Sequence, residues 1–260
     1  MSRLFNFCNR NFKEMLRDPV IYIFCLGFPI VMLVLFQVIN HFTGGNTPMF
    51  EIKALMPAII MFSYTFVMLL MSLLVSKDRQ TFFLKRLYSS PMKSFDFILG
   101  YAIPGIFIGV VQSVICLFFG LIIALITKVQ VISFVGCLLL VISQFPMLLI
   151  CVFMGILFGV LFNDKSAPGI ASIFISLSGV LGGCWMPIES MGAFETICRF
   201  LPFYPSVYIG RVAAGATNMF GEMYVFNNVA WLGLIPIFVV LILSIVLSCV
   251  AFKLKAINEK

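Results

Sequence analysis

The residues best placed for chemistry gather in one polar stretch, Lys77 to Phe97 (KDRQTFFLKRLYSSPMKSFDF). It holds five bases, Lys77, Arg79, Lys85, Arg86 and Lys93, and two acids, Asp78 and Asp96. No catalytic pairing stands among them, so the chemistry on offer is recognition. Gln80, Phe83, Leu84 and Leu87 recur at helical spacing, while Arg79, Lys85 and Arg86 point elsewhere. Ser89-Ser90-Pro91 then stops the helix, because proline has no N–H and disfavours helix in the residue before it. The apolar side chains of this short amphipathic helix face either a partner protein or lipid. In a protein groove, each of Phe83, Leu84 and Leu87 could contribute ~1.5–3 kcal/mol, with Arg79, Lys85 and Arg86 setting orientation. Pattern alone leaves the two surroundings even.

Other chemistry is missing. No GxxxxGK[ST] occurs, so the chain cannot bind ATP through a P-loop of its own, and neither GxSxG nor HExxH appears. The eight cysteines, at 8, 25, 116, 137, 151, 184, 198 and 249, include no CxxC. Most lie in apolar runs, where cysteine behaves as a small hydrophobe. Only Cys184 and Cys198 could meet on an outer face and pair. The single histidine, His41, has no ligand partners nearby, and no metal or cofactor site is expected.

The elements that hold the polar stretch are membrane spans. Hydrophobic residues make up 62% of the 260, and charged ones 10%, against about 25% in soluble domains. Six apolar runs of spanning length are expected: about Val20–Asn40, Ala54–Val75, Tyr101–Thr127, Ile132–Phe162, Pro168–Met186 and Val229–Phe252. As drawn they contain no Asp, Glu, Lys or Arg, which disfavours ion-coupled transport, where intramembrane acids or bases usually serve the ion. Pro146 marks a kink in the fourth. The fifth is rich in Gly and Ser, which suits close helix packing.

Charge sets the orientation. The segments on the side of both termini hold Arg3, Arg10, Lys13, Arg17, Lys77, Arg79, Lys85, Arg86, Lys93, Lys165, Lys253, Lys255 and Lys260; the other side holds Lys53, Lys128, Arg199 and Arg211. Both termini are therefore expected in the cytoplasm, and the net charge of +7 reads as topological, not as a nucleic-acid surface. Residues 1–18 predict an interfacial helix, with Leu4, Cys8, Phe12, Met15 and Leu16 as its apolar stripe. Pro187 to Asn228 is too polar to span and too apolar for a free loop, so a re-entrant or interface-lying helical hairpin is expected there.

The stretch Asp78-Arg79 through Leu84, Leu87, Ser90-Pro91 and Phe97-Ile98-Leu99-Gly100 resembles the cytoplasmic signature of type-2 exporter permeases of ATP-binding-cassette (ABC) transporters. It departs from that signature at Gln80-Thr81-Phe82, which lacks a glycine, and at Tyr101, which replaces a lysine. Gly182-Gly183 through Pro187, Glu189-Ser190-Met191, Leu201-Pro202, Pro205 and Arg211 resembles the family's outer hairpin. Arg10 to Pro19 resembles its N-terminal helix. The matches frame nearly the whole chain in order.

The resemblance implies a single transmembrane domain over 1–260, all-α, with six transmembrane helices. Residues 1–18 form its interfacial helix, 77–97 its cytoplasmic coupling region and 187–228 its extracellular hairpin. It implies a permease that pairs with a second copy or a homologue and binds two separate ABC ATPase subunits, which hold the ATP and Mg. Arg79, Phe83, Leu84, Arg86 and Leu87, with Arg10 and Lys13, would contact the ATPase; Pro187, Glu189, Pro202 and Arg211 would form the outer gate. Glu189 and Arg211 read either as a gating ion pair or, preferably, as structural residues that cap helices or face water, since exposed pairs contribute little. The expected setting is a bacterial plasma membrane, and the expected cargo an amphipathic or apolar compound such as a drug, antibiotic, peptide or lipid. The alternatives are a polysaccharide- or ion-exporting permease of the same family, a motor-free channel or scaffold and, least favoured, a membrane enzyme.

Overall fold

The computed structural model describes residues 2–19, 21–44, 47–81 and 94–258. They form nine α-helices: α1 (Ser2–Arg17), α2 (Phe28–Phe42), α3 (Ile52–Gln80), α4 (Ser94–Ile126), α5 (Phe134–Leu161), α6 (Ala167–Leu181), α7 (Ala193–Arg199), α8 (Phe203–Ala214) and α9 (Asn228–Asn258). A π-helical segment, Ile21–Gly27, runs into α2. The β-structure among the described residues is one isolated bridge, Thr217 to Met223.

Five segments are long and apolar enough to cross a membrane: Ile21–Phe42, Ile52–Gln80, Phe95–Ile126, Phe134–Leu161 and Asn228–Lys255. The fifth expected span, Pro168–Met186, is shorter than the sequence suggested. Its helix α6 has 15 residues, about 22 Å at 1.5 Å per residue, and ends at Gly182, whose N–H bonds Ser178 O.

The bundle is built around α3, which is almost wholly buried. Its largest interface is with α5, where two glycines let the backbones approach. A Cβ on Gly155 would lie 2.5 Å from Met68 O, and one on Gly159 would lie 2.8 Å from Ser72 O. Such small-residue pairs four apart are a main device for helix association in lipid, where apolar burial drives nothing. Polar side chains also cross helices: Gln144 Nε2 donates to Ser206 O (2.7 Å) and Ser206 Oγ to Gln144 Oε1 (2.9 Å), fixing α8 to α5.

Local signals explain the boundaries. Ser133 Oγ accepts from Gly136 N at 3.1 Å and caps α5. Asn227 Oδ1 accepts from Val229 N at 3.0 Å at the start of α9. Pro168 sits in the first turn of α6, where its missing N–H costs nothing. Gly215, at φ 64°, ends α8 in the left-handed conformation that glycine adopts freely.

The α1 stripe needs correction. Phe7, Asn11 and Met15 are its buried side chains, whereas Leu16 is exposed and Leu4, Cys8 and Phe12 are half-buried. Helix α1 packs on α4, with the Phe7 ring edge-on to Phe97 and Tyr101. The polar residue Asn11 is inward because its Nδ2 donates to Gly100 O at 3.0 Å; a buried carbonyl attracts a donor more strongly than lipid attracts a stripe. Cys8 and Phe12 instead line an apolar notch with Ile103, Pro104 and Phe107.

Candidate functional site

Two polar clusters occupy opposite ends of α3. The first, at the terminal end, where α1 meets the end of α3 and the start of α4, centres on Asp78. Its carboxylate is buried and takes a two-pronged contact from Arg10: Nη1 donates to Oδ2, and Nη2 donates to Oδ1 at 2.7 Å. Tyr101 Oη donates to Oδ2 at 2.7 Å from α4. The fork of a guanidinium matches a carboxylate in geometry and charge. Burial alone would lower the Arg10 pKa, but the hydrogen bond and charge of Asp78, with Glu14, outweigh it and raise it. Arg10 remains a cation.

Glu14 extends the cluster, 2.6 Å from Arg10 Nη2 and 3.5 Å from Lys77 Nζ. Arg79 donates to Val160 O and, through Nη2, to Asn163 Oδ1 at 2.6 Å, which holds the α5–α6 turn. Beside the cluster opens a cleft of about 900 Å³, with Leu70, Leu73 and Leu74 along one wall and Lys13, Arg17 and Lys77 at its edge. Of the expected ATPase-contact residues, Arg10 and Arg79 are thus engaged within the chain, and Lys13 is exposed. Phe83, Leu84, Arg86 and Leu87 lie outside the described residues.

The second cluster lies at the hairpin end. Arg211, on α8, is buried, and its donors fan out: Nε to Ala54 O (3.2 Å), Nη2 to Gly183 O (3.1 Å) and Nη1 to Tyr224 Oη (3.2 Å). Glu189 Oε1 stands 3.7 Å from Nη1 and accepts the Tyr224 hydroxyl proton. Burial raises the Tyr224 pKa; Arg211 opposes the shift and Glu189 adds to it. The phenol therefore stays protonated and bridges base to acid. Arg211 does not face water as one sequence reading had it, because Ala54 O, Gly183 O and Tyr224 Oη all receive its donors inside the bundle.

Of the expected gate residues, Glu189 and Arg211 come together, with Tyr224 between them. Pro187 and Pro202 flank short helices, next to Ile188–Ser190 and Phe203 respectively. Cys184 and Cys198 are both free, and Cys184 Sγ donates to Ala58 O at 3.3 Å. Among the described residues no cluster of His, Cys, Asp or Glu could hold a metal ion.

Sequence reasoning missed Asn11, Glu14 and Tyr224 as site members. Only Tyr101 carried a signal, as the residue standing where the resembled signature has a lysine. Gly179 and Gly182 pack within the chain: a Cβ on either would strike Trp185 or Met61.

A family model described as ABC-2 type transporter matches residues 3–214. The comparison with curated proteins returned no match.

Proposed function

From the premise that the chain belongs to the ABC-2 type transporter family, we propose that it is the membrane-spanning permease subunit of an ATP-driven exporter. Members of this family normally work with an ABC ATPase. The observation that carries the reading is the family match over residues 3–214. The absence of a P-loop in the sequence agrees with it: ATP and its Mg belong to a separate subunit.

In this reading both termini are cytoplasmic, and the six crossings are the five long segments plus α6, extended by the residues that follow it. The segment from Ile188 to Asn227 folds back as the outer hairpin, and two permease copies enclose the pathway. The 77–97 region receives the ATPase, with Leu84 and Leu87 in its groove. The Asp78 cluster supports a role in transmission. It joins α1, α3 and α4 through one carboxylate, so a push on the segment between α3 and α4 would move all three together. The cleft beside it, leucine-walled with Lys13, Arg17 and Lys77 as well as Glu14 and Asp18 in its lining, suits the entry of an amphipathic cargo.

The test is to purify the tagged chain from its native membrane and measure ATPase activity in what accompanies it. A co-purifying ATPase, lost in the L84D/L87D double variant, is the expected result. An ATPase-free oligomer from native membranes would overturn the proposal. So would unchanged transport in a correctly inserted double variant for the coupling role.

A further inference from the structure

Helix α3 is buried at every residue from Ala54 to Ser76 except Leu69 and Leu73, which are half-buried. Lys77 stands four residues beyond Leu73 and is exposed. Side chains at that spacing share one helix face. The opening on α3 is therefore a single stripe, about 12 Å long at 1.5 Å per residue, that passes from two leucines to an ammonium. Its Leu73 and Lys77 end lies in the cleft of about 900 Å³ between α1 and α3.

The charges of that cleft are uneven. Its lining holds four bases, Arg10, Lys13, Arg17 and Lys77, and two acids, Glu14 and Asp18. Arg10 is spent on Asp78, and Glu14 on Arg10 and Lys77. Lys13 and Arg17 are exposed and one turn apart on α1, and their side chains make no hydrogen bond or ion pair with a described residue. Even with Asp78 set against Arg10, the bases outnumber the acids.

We propose that this cleft holds an anionic phospholipid, its phosphate between Lys13 and Arg17 of α1 and Lys77 of α3, with one acyl chain along Leu73 and Leu69. Charge complementarity selects the occupant. A basic pocket at the end of a membrane helix attracts an anionic head group, and the leucines that continue the stripe take the chain. A zwitterionic lipid would bring a further cation beside cations already unpaired. A second copy of the chain seated here on a two-fold axis would set the patch against itself, like charge on like. The site rests on α3 crossing a membrane and needs neither ATPase nor transport, so it and the permease reading stand or fall separately. A cargo entering by the cleft would displace the lipid.

The experiment is native mass spectrometry of the delipidated full-length chain in detergent, titrated with dioleoylphosphatidylglycerol. Dioleoylphosphatidylcholine keeps the chains and the phosphate without net charge, and glycerophosphate keeps the phosphate without chains. Saturable binding of the phosphatidylglycerol is expected, with the phosphatidylcholine at least about tenfold weaker and glycerophosphate weaker still. K13Q/R17Q should weaken the phosphatidylglycerol about twentyfold, roughly fivefold for each charge, and leave the phosphatidylcholine unchanged. K253Q/K255Q removes two charges from α9, outside the cleft's lining, and should bind within about twofold of wild type. No saturable binding, equal binding of the two lipids, wild-type affinity in K13Q/R17Q or the same loss in K253Q/K255Q would overturn the proposal. Glycerophosphate binding as tightly as the lipid would give the site to a free phosphate, and a dimer that excludes the lipid would give the face to a second copy; either would overturn it too.

Discussion

At the terminal end the buried partner is the acid: the Asp78 side chain is 2% exposed and that of Arg10 is 34%. At the hairpin end it is the base, Arg211 at 4% against Glu189 at 13%. Each pair is joined by a tyrosine, Tyr101 or Tyr224, and each holds an end of α3 to distant segments. They differ in where the compensation comes from. Among the described residues Asp78 depends on one arginine for its charge, so the cluster is only as firm as the seat of α1. Arg211 spreads its donors over two backbone carbonyls and a phenol, and its acid is one partner among several. A buried charge with a single counterion is a joint that can be opened; one tied to the backbone is a rivet.

That contrast can be broken or sharpened by thermal unfolding of the purified chain, followed with a thiol-reactive dye that reports the buried cysteines. The largest effect is expected for R211A, which strands Gly183 O and the acid and removes the contact to Ala54 O. It should destabilise by about 4 kcal/mol, and a melting curve like wild type would break the comparison at once. R10A should cost about 3 kcal/mol by leaving Asp78 buried without a counterion. Adding D78N to R10A should recover part of that loss; no recovery would mean that the charge is not the cause. Y101F removes one hydrogen bond to an ionised acceptor and should cost about 1.5 kcal/mol. The smallest effect belongs to E189Q, under about 1 kcal/mol, because Arg211 keeps its carbonyls and Tyr224. An E189Q loss as large as that of R211A would show that the two ends work alike after all.

Much of this was legible in the residues. The uncharged apolar runs located five long helices, and the run drawn from Pro168 begins in the first turn of α6. The α1 stripe was misread because its periodicity admits two faces. The choice went to Phe7, Asn11 and Met15 once Gly100 O and Asp78 were there to receive Asn11 and Arg10. The span at 168–186 was overestimated because Gly182 and Gly183 are apolar enough for a hydropathy window, yet Gly183 turns to φ 65°. At the hairpin end, Glu189 and Arg211 were singled out together, but Tyr224, 13 residues beyond Arg211, has no spacing relation that could announce it.

Sequence by itself determined the membrane class and the family, since these follow from composition and local motif. Tertiary structure alone decided which charges are spent inside the chain and which partners they find. The reason is physical. A span is a property of consecutive residues, whereas the partner of a buried charge is whichever donor the packing of distant helices brings within 3 Å or so.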